Sequence, residues 1–327
     1  MSDENEEFPV YKSKDVPFSW RSPKDINTDA VLHTDGRTRF QQGELGDCWL
    51  VAAIESLRHQ VNQESFNEVV QAHGNDLEFR WVGSYEGLEG GFWTDAIQSF
   101  TGGVVERIKL REGNIPENLF EIMLNSYRSG SFLCCIKKDP HRTEKYHSCC
   151  IDALEINEDN SEICVRDPYS QEYNFWTYEQ FINEYHRLDM CHKNLDNLSA
   201  LWGKNIGSCP WESQNFSLQL ESLCDEFSII LTDTDDDQEG CTFVVELVQK
   251  IKPDEGEELE YIRPWDALVH LELEVGEEIF PVKFPQETRC FTLEPGTHDI
   301  RVTTNTEQHS KIYMRIFSKR MYEVERK

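Results

Sequence analysis

The stretch FQQGELGDCWLVAAIESL, residues 40–57, places one cysteine between a glycine-containing loop and an unbroken apolar run. The two glycines suit a tight loop, because glycine adopts backbone conformations that other residues avoid. The run Cys48–Leu57 is rich in helix formers and apolar on most faces, which predicts a buried helix, and Asp47 suits the position that caps it. Cys48 is therefore expected at a helix amino terminus, where the helix dipole favours a thiolate.

A nucleophilic thiol needs a base, and a predicted hairpin offers one. The polar turn NEDNSE, residues 157–162, joins two β-rich runs that carry His147 and Asp167. Counting back from the turn places these residues within one or two rungs of each other, and cross-strand neighbours lie roughly 4.5–5.5 Å apart at Cβ. Asp167 is thus expected to orient the imidazole. The side-chain amide of Gln42 and the backbone N–H of Cys48 are candidate donors to the oxyanion formed when a thiolate attacks a carbonyl.

Each of these residues also has a purely structural interpretation. A free cysteine usually belongs to a core, a lone histidine is more often a satisfied structural residue than a base, and aspartate before proline is a common turn signal. The presence of Gln42 and two glycines beside Cys48 favours the catalytic interpretation, because packing does not require them.

The charge balance restricts the partners of the protein. The 327 residues carry 32 Lys and Arg against 61 Asp and Glu, a net charge of −29 that disfavours nucleic acid and anionic surfaces. No apolar run approaches the roughly 20 residues of a transmembrane segment, and the acidic start does not resemble a signal peptide. Eleven cysteines without CxxC spacing favour free thiols over disulfides or zinc. These features predict a soluble, cytoplasmic protein.

The chain is long enough for two domains. Residues 1–30 show no periodicity and are interpreted as a surface arm. From Phe132 onward β-rich runs predict a sheet, which a helical run FWTYEQFINEYHRL, residues 175–188, is expected to close. Beyond Trp202, short alternating strands at regular intervals are typical of a β-sandwich. The domain boundary is predicted near residues 195–210.

Several motifs resemble a known family. QGELGDCWLVAAIESL, GSYEGLEGG, FTGGVVE and FINEYHRLDMC, and more loosely FSWRSPKDI, are similar to the calpains, which are papain-like cysteine proteases, over most of residues 16–195. The resemblance implies an α+β papain-like protease core, with a helical lobe and a β lobe, at residues 31–200. It implies an all-β C2-like sandwich at residues 205–327. The penta-EF-hand domain of conventional calpains is not expected.

The resemblance also implies roles for the site residues. Cys48 matches the nucleophile, His147 the base and Gln42 the oxyanion donor of the family motif. Asp167 departs from that motif, because RDPY stands where calpains have RNPW, and Tyr169 replaces the tryptophan that shields the histidine. An aspartate still orients an imidazole, and its charge favours imidazolium over neutral histidine.

The core is shorter than the family implies. Papain-like enzymes place the histidine about 130–150 residues after the cysteine, whereas Cys48 and His147 are 99 residues apart. The missing segment is expected between Gln60 and Trp81, with a shorter deletion later. These deletions remove acidic residues of the family's calcium sites, and Arg39 replaces a further ligand. Calcium is therefore not expected to bind the protease core.

Three functions are compatible with these features. The first hypothesis is a calpain-like cysteine endopeptidase that cleaves protein substrates through an acyl-enzyme on Cys48, with no required cofactor. The alternative is a catalytically inactive scaffold that binds protein partners. A third hypothesis is a C2-type adaptor with weak peripheral membrane contact. It depends on an acidic segment that would form a weak cation loop, with carboxylates at Asp233, Asp235, Asp236, Asp237 and Glu239.

Overall fold

The fold is described from a computed structural model of the chain. The predicted arm at residues 1–30, Arg39 and the five carboxylates of the acidic segment lie outside the described residues. Within the described part, no helix is long and apolar enough to cross a membrane. The structure describes residues 42, 45–61, 88, 90–111, 115–138, 146–157, 160–170, 173–195, 211–218, 223–232, 234, 240–251, 268–305, 310–319 and 322–327.

Helix α1 spans Cys48–Gln60 and carries the candidate nucleophile on its first residue. The predicted buried helix therefore forms. The capping prediction is only partly correct: Asp47 precedes the helix, but its side chain makes no capping hydrogen bond. Its backbone carbonyl accepts instead from the N–H groups of Leu50 and Val51, at 2.9 and 3.0 Å. The Asp47 contribution to the first turn of the helix that these bonds describe is thus a backbone one.

Helix α2, Trp93–Thr101, packs on α1 through a shared apolar cluster. Glycines shape the loops at both of its ends. Gly91 lies against the indole of Trp49, where a Cβ atom would stand 2.4 Å from ring atom Cε2. Gly102 ends α2 with a φ of 67°, a left-handed conformation that glycine adopts at low cost. The glycines of the two motifs therefore serve close packing and helix termination.

Six antiparallel strands form one sheet in the spatial order β1-β6-β2-β3-β4-β5. Side chains alternate between the two faces along β2: Phe132 and Cys134 join the cluster of α1 and α2, whereas Leu133 and Cys135 join that of helix α3, Leu119–Arg128. The sheet is therefore covered by helices on both faces. The strands are β1 Val104–Lys109, β2 Phe132–Lys138, β3 Tyr146–Asn157, β4 Asn160–Arg166, β5 Tyr173–Thr177 and β6 Arg187–His192.

The prediction of one helix over residues 175–188 is only partly correct. Strand β5 ends at Thr177, helix α4 spans Tyr178–Glu184, and β6 begins at Arg187. Thr177 separates strand from helix, because its side chain accepts from the N–H of Gln180 while the Gln180 side chain accepts from the N–H of Thr177. This capping box starts the helix late and leaves the preceding aromatic run to pair with β4.

Two further antiparallel sheets follow and share one apolar core. Their strand orders are β11-β10-β13-β8-β15 and β12-β9-β14-β7. This arrangement agrees with the predicted β-sandwich, and the predicted boundary lies mostly in residues 196–210, outside the described part. The strands are β7 Glu212–Ser217, β8 Cys224–Leu231, β9 Cys241–Ile251, β10 Leu271–Val275, β11 Glu278–Val282, β12 Gln286–Leu293, β13 Gly296–Thr304, β14 Ser310–Ser318 and β15 Tyr322–Arg326.

The sandwich packs against the region of the six-stranded sheet and helices α1–α4 through a buried polar network. Glu246 of β9 accepts hydrogen bonds on Oε1 from the Gln98 side chain at 2.8 Å and the N–H of Val105 at 3.3 Å. Arg315 pairs with the other carboxylate oxygen of Glu246. The hydroxyl of Thr288 donates to the carbonyl of Val105 at 2.6 Å. These bonds tie the two regions together at α2 and β1.

Candidate active site

The hairpin of β3 and β4 brings His147 and Asp167 into contact. The strands pair from Asn157 opposite Asn160 to Cys150 opposite Arg166, as the turn in the sequence predicts. Asp167 follows β4 directly, and its Oδ1 lies 2.7 Å from Nε2 of His147. The carboxylate is therefore within hydrogen-bond distance of one imidazole nitrogen.

The turn after β4 fixes the orientation of the Asp167 carboxylate. The N–H of Ser170 donates to the backbone carbonyl of Asp167 at 3.1 Å, which closes a turn with Pro168 at its second position. The N–H of Tyr169 donates to Oδ1 of Asp167 at 3.0 Å. The Tyr169 ring stacks on the imidazole of His147, with centroids 4.6 Å apart and planes 15° apart. Tyr169 thus covers the imidazole of His147. It occupies the position where the resemblance expects a tryptophan.

Lys137 of β2 also contacts Asp167, and the sequence analysis missed it. Lys137 lies directly opposite His147 in the β2–β3 register, and its Nζ is 3.0 Å from Oδ2 of Asp167. The carboxylate is therefore held on one oxygen by the imidazole and on the other by an ammonium. The lysine is visible in the run FLCCIKK, but the length of residues 139–145 does not set the register between the two strands.

Opposing effects set the charge of His147. Burial disfavours the imidazolium, but the hydrogen bond with Asp167 and the nearby thiols of Cys149 and Cys48 outweigh it and raise the pKa of His147 to about 12. Burial also opposes ionisation of Asp167, yet the hydrogen bond with His147 and its charge hold the pKa of Asp167 below its ordinary value. The pair is therefore an imidazolium and a carboxylate at neutral pH.

Cys48 lies at the first position of α1 with 9% of its surface exposed. Its thiol contributes to the raised pKa of His147, so the two side chains lie within interaction range. Since Asp167 occupies Nε2 of His147, Nδ1 is the nitrogen left for the thiol. Nδ1 is buried and forms no hydrogen bond of normal geometry with a described residue. Cys48 therefore lies between a helix amino terminus and the imidazole of His147, which is the placement of a cysteine nucleophile.

Gln42 is buried and is tied to the same turn as Asp167. Its backbone N–H donates to the carbonyl of Pro168 at 2.9 Å, and its side-chain Nε2 donates to the carbonyl of Leu45 at 2.6 Å. An amide nitrogen carries two hydrogens, so one donor remains. The N–H of Cys48 opens the helix and has no carbonyl acceptor inside it. The side-chain amide of Gln42 and the N–H of Cys48 therefore each have a hydrogen that these bonds do not use.

A second thiol, Cys149, lies beside the pair. The ligand atoms of His147, Cys149 and Asp167 all lie within 4.8 Å of one another, and these are donor types that zinc accepts. Both carboxylate oxygens of Asp167 are already engaged by His147 and Lys137. Burial raises the pKa of Cys149, while the His147 hydrogen bond lowers it. The contacts present match proton transfer better than metal binding.

The other buried thiols of the sheet are poor nucleophiles. Cys134 lies opposite Cys150 across β2 and β3, and Cys135 lies opposite Cys149. Burial raises the pKa values of Cys134, Cys135 and Cys150 well above that of a free thiol. The thiolate is the reactive form of cysteine. These cysteines therefore serve packing.

Comparison with known sequences finds a similar family. The profile described as calpain family cysteine protease matches residues 5–81 and 79–154. This region is similar to the calpain family. Calpain-9 of Rattus norvegicus is 27% identical over 345 aligned residues, which cover 72% of this chain and 49% of the relative. Calpain-B of Drosophila melanogaster is 25% identical over 71% of the chain and 38% of the relative. The calpain-2 catalytic subunit of Homo sapiens is 24% identical over 73% and 50%.

The part of this chain that aligns with calpain-9 is shorter than the corresponding part of calpain-9. The chain spans half or less of the length of these curated calpains. The alignment with calpain-9 has 345 positions, whereas 72% of 327 residues is about 235, so about 110 positions have no counterpart in this chain. This difference agrees with the short core inferred from the spacing of Cys48 and His147.

Proposed function

We propose that this protein is a calpain-like cysteine endopeptidase that cleaves protein substrates in the cytoplasm. The arrangement of three groups carries the proposal: a thiol at a helix amino terminus, an imidazole within its range, and a carboxylate 2.7 Å from the far imidazole nitrogen. Similarity to the calpain family supports the same reaction class. In this proposal Cys48 is the nucleophile, His147 the acid and base, and Asp167 the orienting group.

The first half-reaction acylates Cys48. The Cys48 thiolate adds to the scissile carbonyl, which forms a C–S bond and an oxyanion that the side chain of Gln42 and the N–H of Cys48 stabilise. The tetrahedral intermediate collapses and the C–N bond breaks. The imidazolium of His147 gives its Nδ1 proton to the departing amine. The products are a thioester on Cys48, a free amine and a neutral imidazole.

The second half-reaction hydrolyses the thioester. The neutral imidazole of His147 takes a proton from water, whose oxygen attacks the thioester carbonyl. The C–S bond breaks, the acid product leaves, and the thiolate and imidazolium are restored. Because Asp167 favours the imidazolium, the neutral base is costly to reach in the acyl-enzyme. We therefore expect deacylation to limit turnover.

The second candidate function is a catalytically inactive scaffold that binds protein partners. The absence of about 110 aligned positions relative to calpain-9 favours it, because a shortened core could keep a binding surface without a complete active site. In that case the ion pair of His147 and Asp167 contributes to stability alone. Chemical labelling separates the two candidates.

Metal and membrane binding are secondary parts of the proposal. We propose that the protease region acts without calcium and that the sandwich is C2-like. Any cation binding would be weak and confined to the acidic segment. Such binding would be the basis of weak peripheral membrane contact, and nucleic acid is not a proposed partner. The carboxylates concerned, all outside the described residues, are Asp233, Asp235, Asp236, Asp237 and Glu239.

Labelling with a peptidyl epoxide tests the nucleophile. We expect one adduct at Cys48, located by mass spectrometry, and loss of both labelling and peptidase turnover in Cys48→Ala, by at least about a thousandfold. Cys224→Ser, which changes a partly exposed thiol of β8, is the matched control and should keep both. Turnover in Cys48→Ala would contradict the assignment. A folded protein with neither adduct nor turnover would support the scaffold.

A further inference from the structure

We infer that Lys137 is a positioning residue that offsets part of the charge of Asp167 and so weakens the hold of this carboxylate on the His147 proton. The inference rests on the proposed function, because it concerns how the same site releases a proton. It also accounts for the aspartate at a position where the resemblance expects asparagine. Lys137 of β2 supplies a positive charge that opposes the negative charge of this aspartate.

The contacts of Asp167 divide between its two oxygens. Oδ1 lies 2.7 Å from Nε2 of His147 and accepts from the N–H of Tyr169, whereas Oδ2 lies 3.0 Å from Nζ of Lys137. The side chains of Lys137 and Asp167 are 19% and 16% exposed, so solvent screens their interaction only in part. The β2–β3 register holds Lys137 opposite His147. The backbone therefore directs the lysine to this carboxylate.

A carboxylate beside His147 favours the imidazolium, so the neutral imidazole that acts as the base in deacylation is less populated. An opposite charge at this range shifts a pKa by about 1–3 units. An ammonium on the second oxygen draws charge away from the first and repels the imidazolium. Among the described residues, the groups that face His147 are Cys48 from α1, Lys137 from β2, Cys149 from β3, and Asp167 and Tyr169 from the turn after β4. Of these, Lys137 alone supplies a positive charge.

Lys137 keeps its proton in this setting. Burial favours the neutral amine, but the charge of Cys149 and the hydrogen bond with Asp167 outweigh it and raise the pKa of Lys137. The ammonium therefore persists across the range in which a peptidase of this kind works. The Lys137 ammonium therefore acts on His147 as a fixed positive charge, because it does not lose its proton in the pH range where the catalytic groups work.

Variants of the full chain test the inference through the deacylation step. Lys137→Met should slow deacylation about tenfold, with a smaller effect on acylation, because it strengthens the hold of Asp167 on the His147 proton. Lys137→Arg keeps the charge and should restore the rate to within about threefold. In an Asp167→Asn background, Lys137→Met should cause no such loss, since no carboxylate remains to be neutralised. Lys109→Met, an exposed lysine of β1, is the control.

A second readout keeps the test independent of turnover. NMR titration of His147 is made in Cys48→Ala protein, because the Cys48 thiol also raises the pKa of His147. The titration should move to higher pH with Lys137→Met and to lower pH with Asp167→Asn. Equal slowing by Lys137→Met in both backgrounds, or an unmoved titration, would overturn the inference. If the proposed function fails, Cys48 will remain unlabelled in every variant. In that case the His147 titration alone decides the role of Lys137.

Discussion

Asp167 links the charge of the site to the stability of the fold. The raised pKa of His147 gives a stabilising contribution that is fully present below its ordinary value of 6.5 and is lost as pH rises through about 12. The lowered pKa of Asp167 gives a contribution present above its ordinary value of 3.8 and lost as pH falls through its native value. Between these limits the two residues stabilise the native state together, and that window includes neutral pH.

Replacement of Asp167 by asparagine should move the alkaline limb of kcat/KM to lower pH by about 1–3 units. Acylation needs a protonated His147, and an amide holds that proton less strongly than a carboxylate. At its own optimum Asp167→Asn should keep or raise activity, whereas Asp167→Ala should lower it because the imidazole is no longer oriented. Full pH profiles of the peptidase reaction measure both effects, with Asp299→Asn, an exposed residue of β13, as control. Identical profiles for the three Asp167 forms would exclude an orienting role.

At the scale of elements, helix α1 depends on the segment that precedes α2. The indole Nε1 of Trp49 donates to the carbonyl of Leu88 at 3.0 Å, and the N–H of Gly90 donates to the carbonyl of Gly46 at 2.8 Å. These bonds connect the loop before α2 with the loop before α1. The position of the Cys48 thiol therefore depends on a second segment, about 40 residues further along the chain.

Gly91→Ala should destabilise this connection. The added methyl group would lie 2.4 Å from Cε2 and 2.6 Å from Cδ2 of Trp49, so the indole has to move. Overpacking of this kind costs about 1–3 kcal/mol in the free energy of unfolding, and displacement of Trp49 should also lower the rate of Cys48 labelling. Urea unfolding and labelling kinetics measure the two effects. In a Trp49→Phe background the same change should cost less; equal costs in both backgrounds would show that the indole is not the obstacle.

The elements of the site were predictable to the extent that their signals are local. The helix at Cys48 follows from composition, and the hairpin of His147 and Asp167 follows from a short turn whose length fixes the register. Lys137 was not predictable, because the connection between β2 and β3 is too long to set their register. The break at Thr177 was missed because an aromatic run beside helix formers fits either structure, and the capping box decided it.

At the scale of the whole molecule, Glu246 is the centre of the contact between the two regions. Its side chain is fully buried, and burial raises its pKa while the charge of Arg315 lowers it. Arg315 also donates to the carbonyls of Gly102 and Gly103, both at 2.7 Å, at the end of α2. The two members of this ion pair, both in the sandwich, therefore make hydrogen bonds that reach the glycine motif of the calpain-like region. No sequence pattern indicated this contact, because its partners are separated by more than 140 residues.

Glu246→Ala should lower the free energy of unfolding by about 3–5 kcal/mol, because it leaves Arg315 partly buried without its carboxylate. Glu274→Ala, which breaks a more exposed pair with Arg301 in the sandwich, should cost much less, because solvent screens that pair. Urea unfolding of the full chain measures both variants. Equal costs would show that the contact between the regions contributes no more than a surface pair.

The contact with the sandwich also protects an edge strand of the calpain-like region. Strand β1 is the last strand of its sheet in the described residues and has a partner on one side only. The open side of such an edge strand is a template for another chain and a common origin of aggregation. Here Glu246 accepts a hydrogen bond from the N–H of Val105, and Thr288 donates one to its carbonyl. Side chains of the sandwich therefore take the place of a neighbouring strand at this residue. The calpain-like region cut from its sandwich would expose that edge, so we expect it to aggregate unless the two regions are produced as one chain.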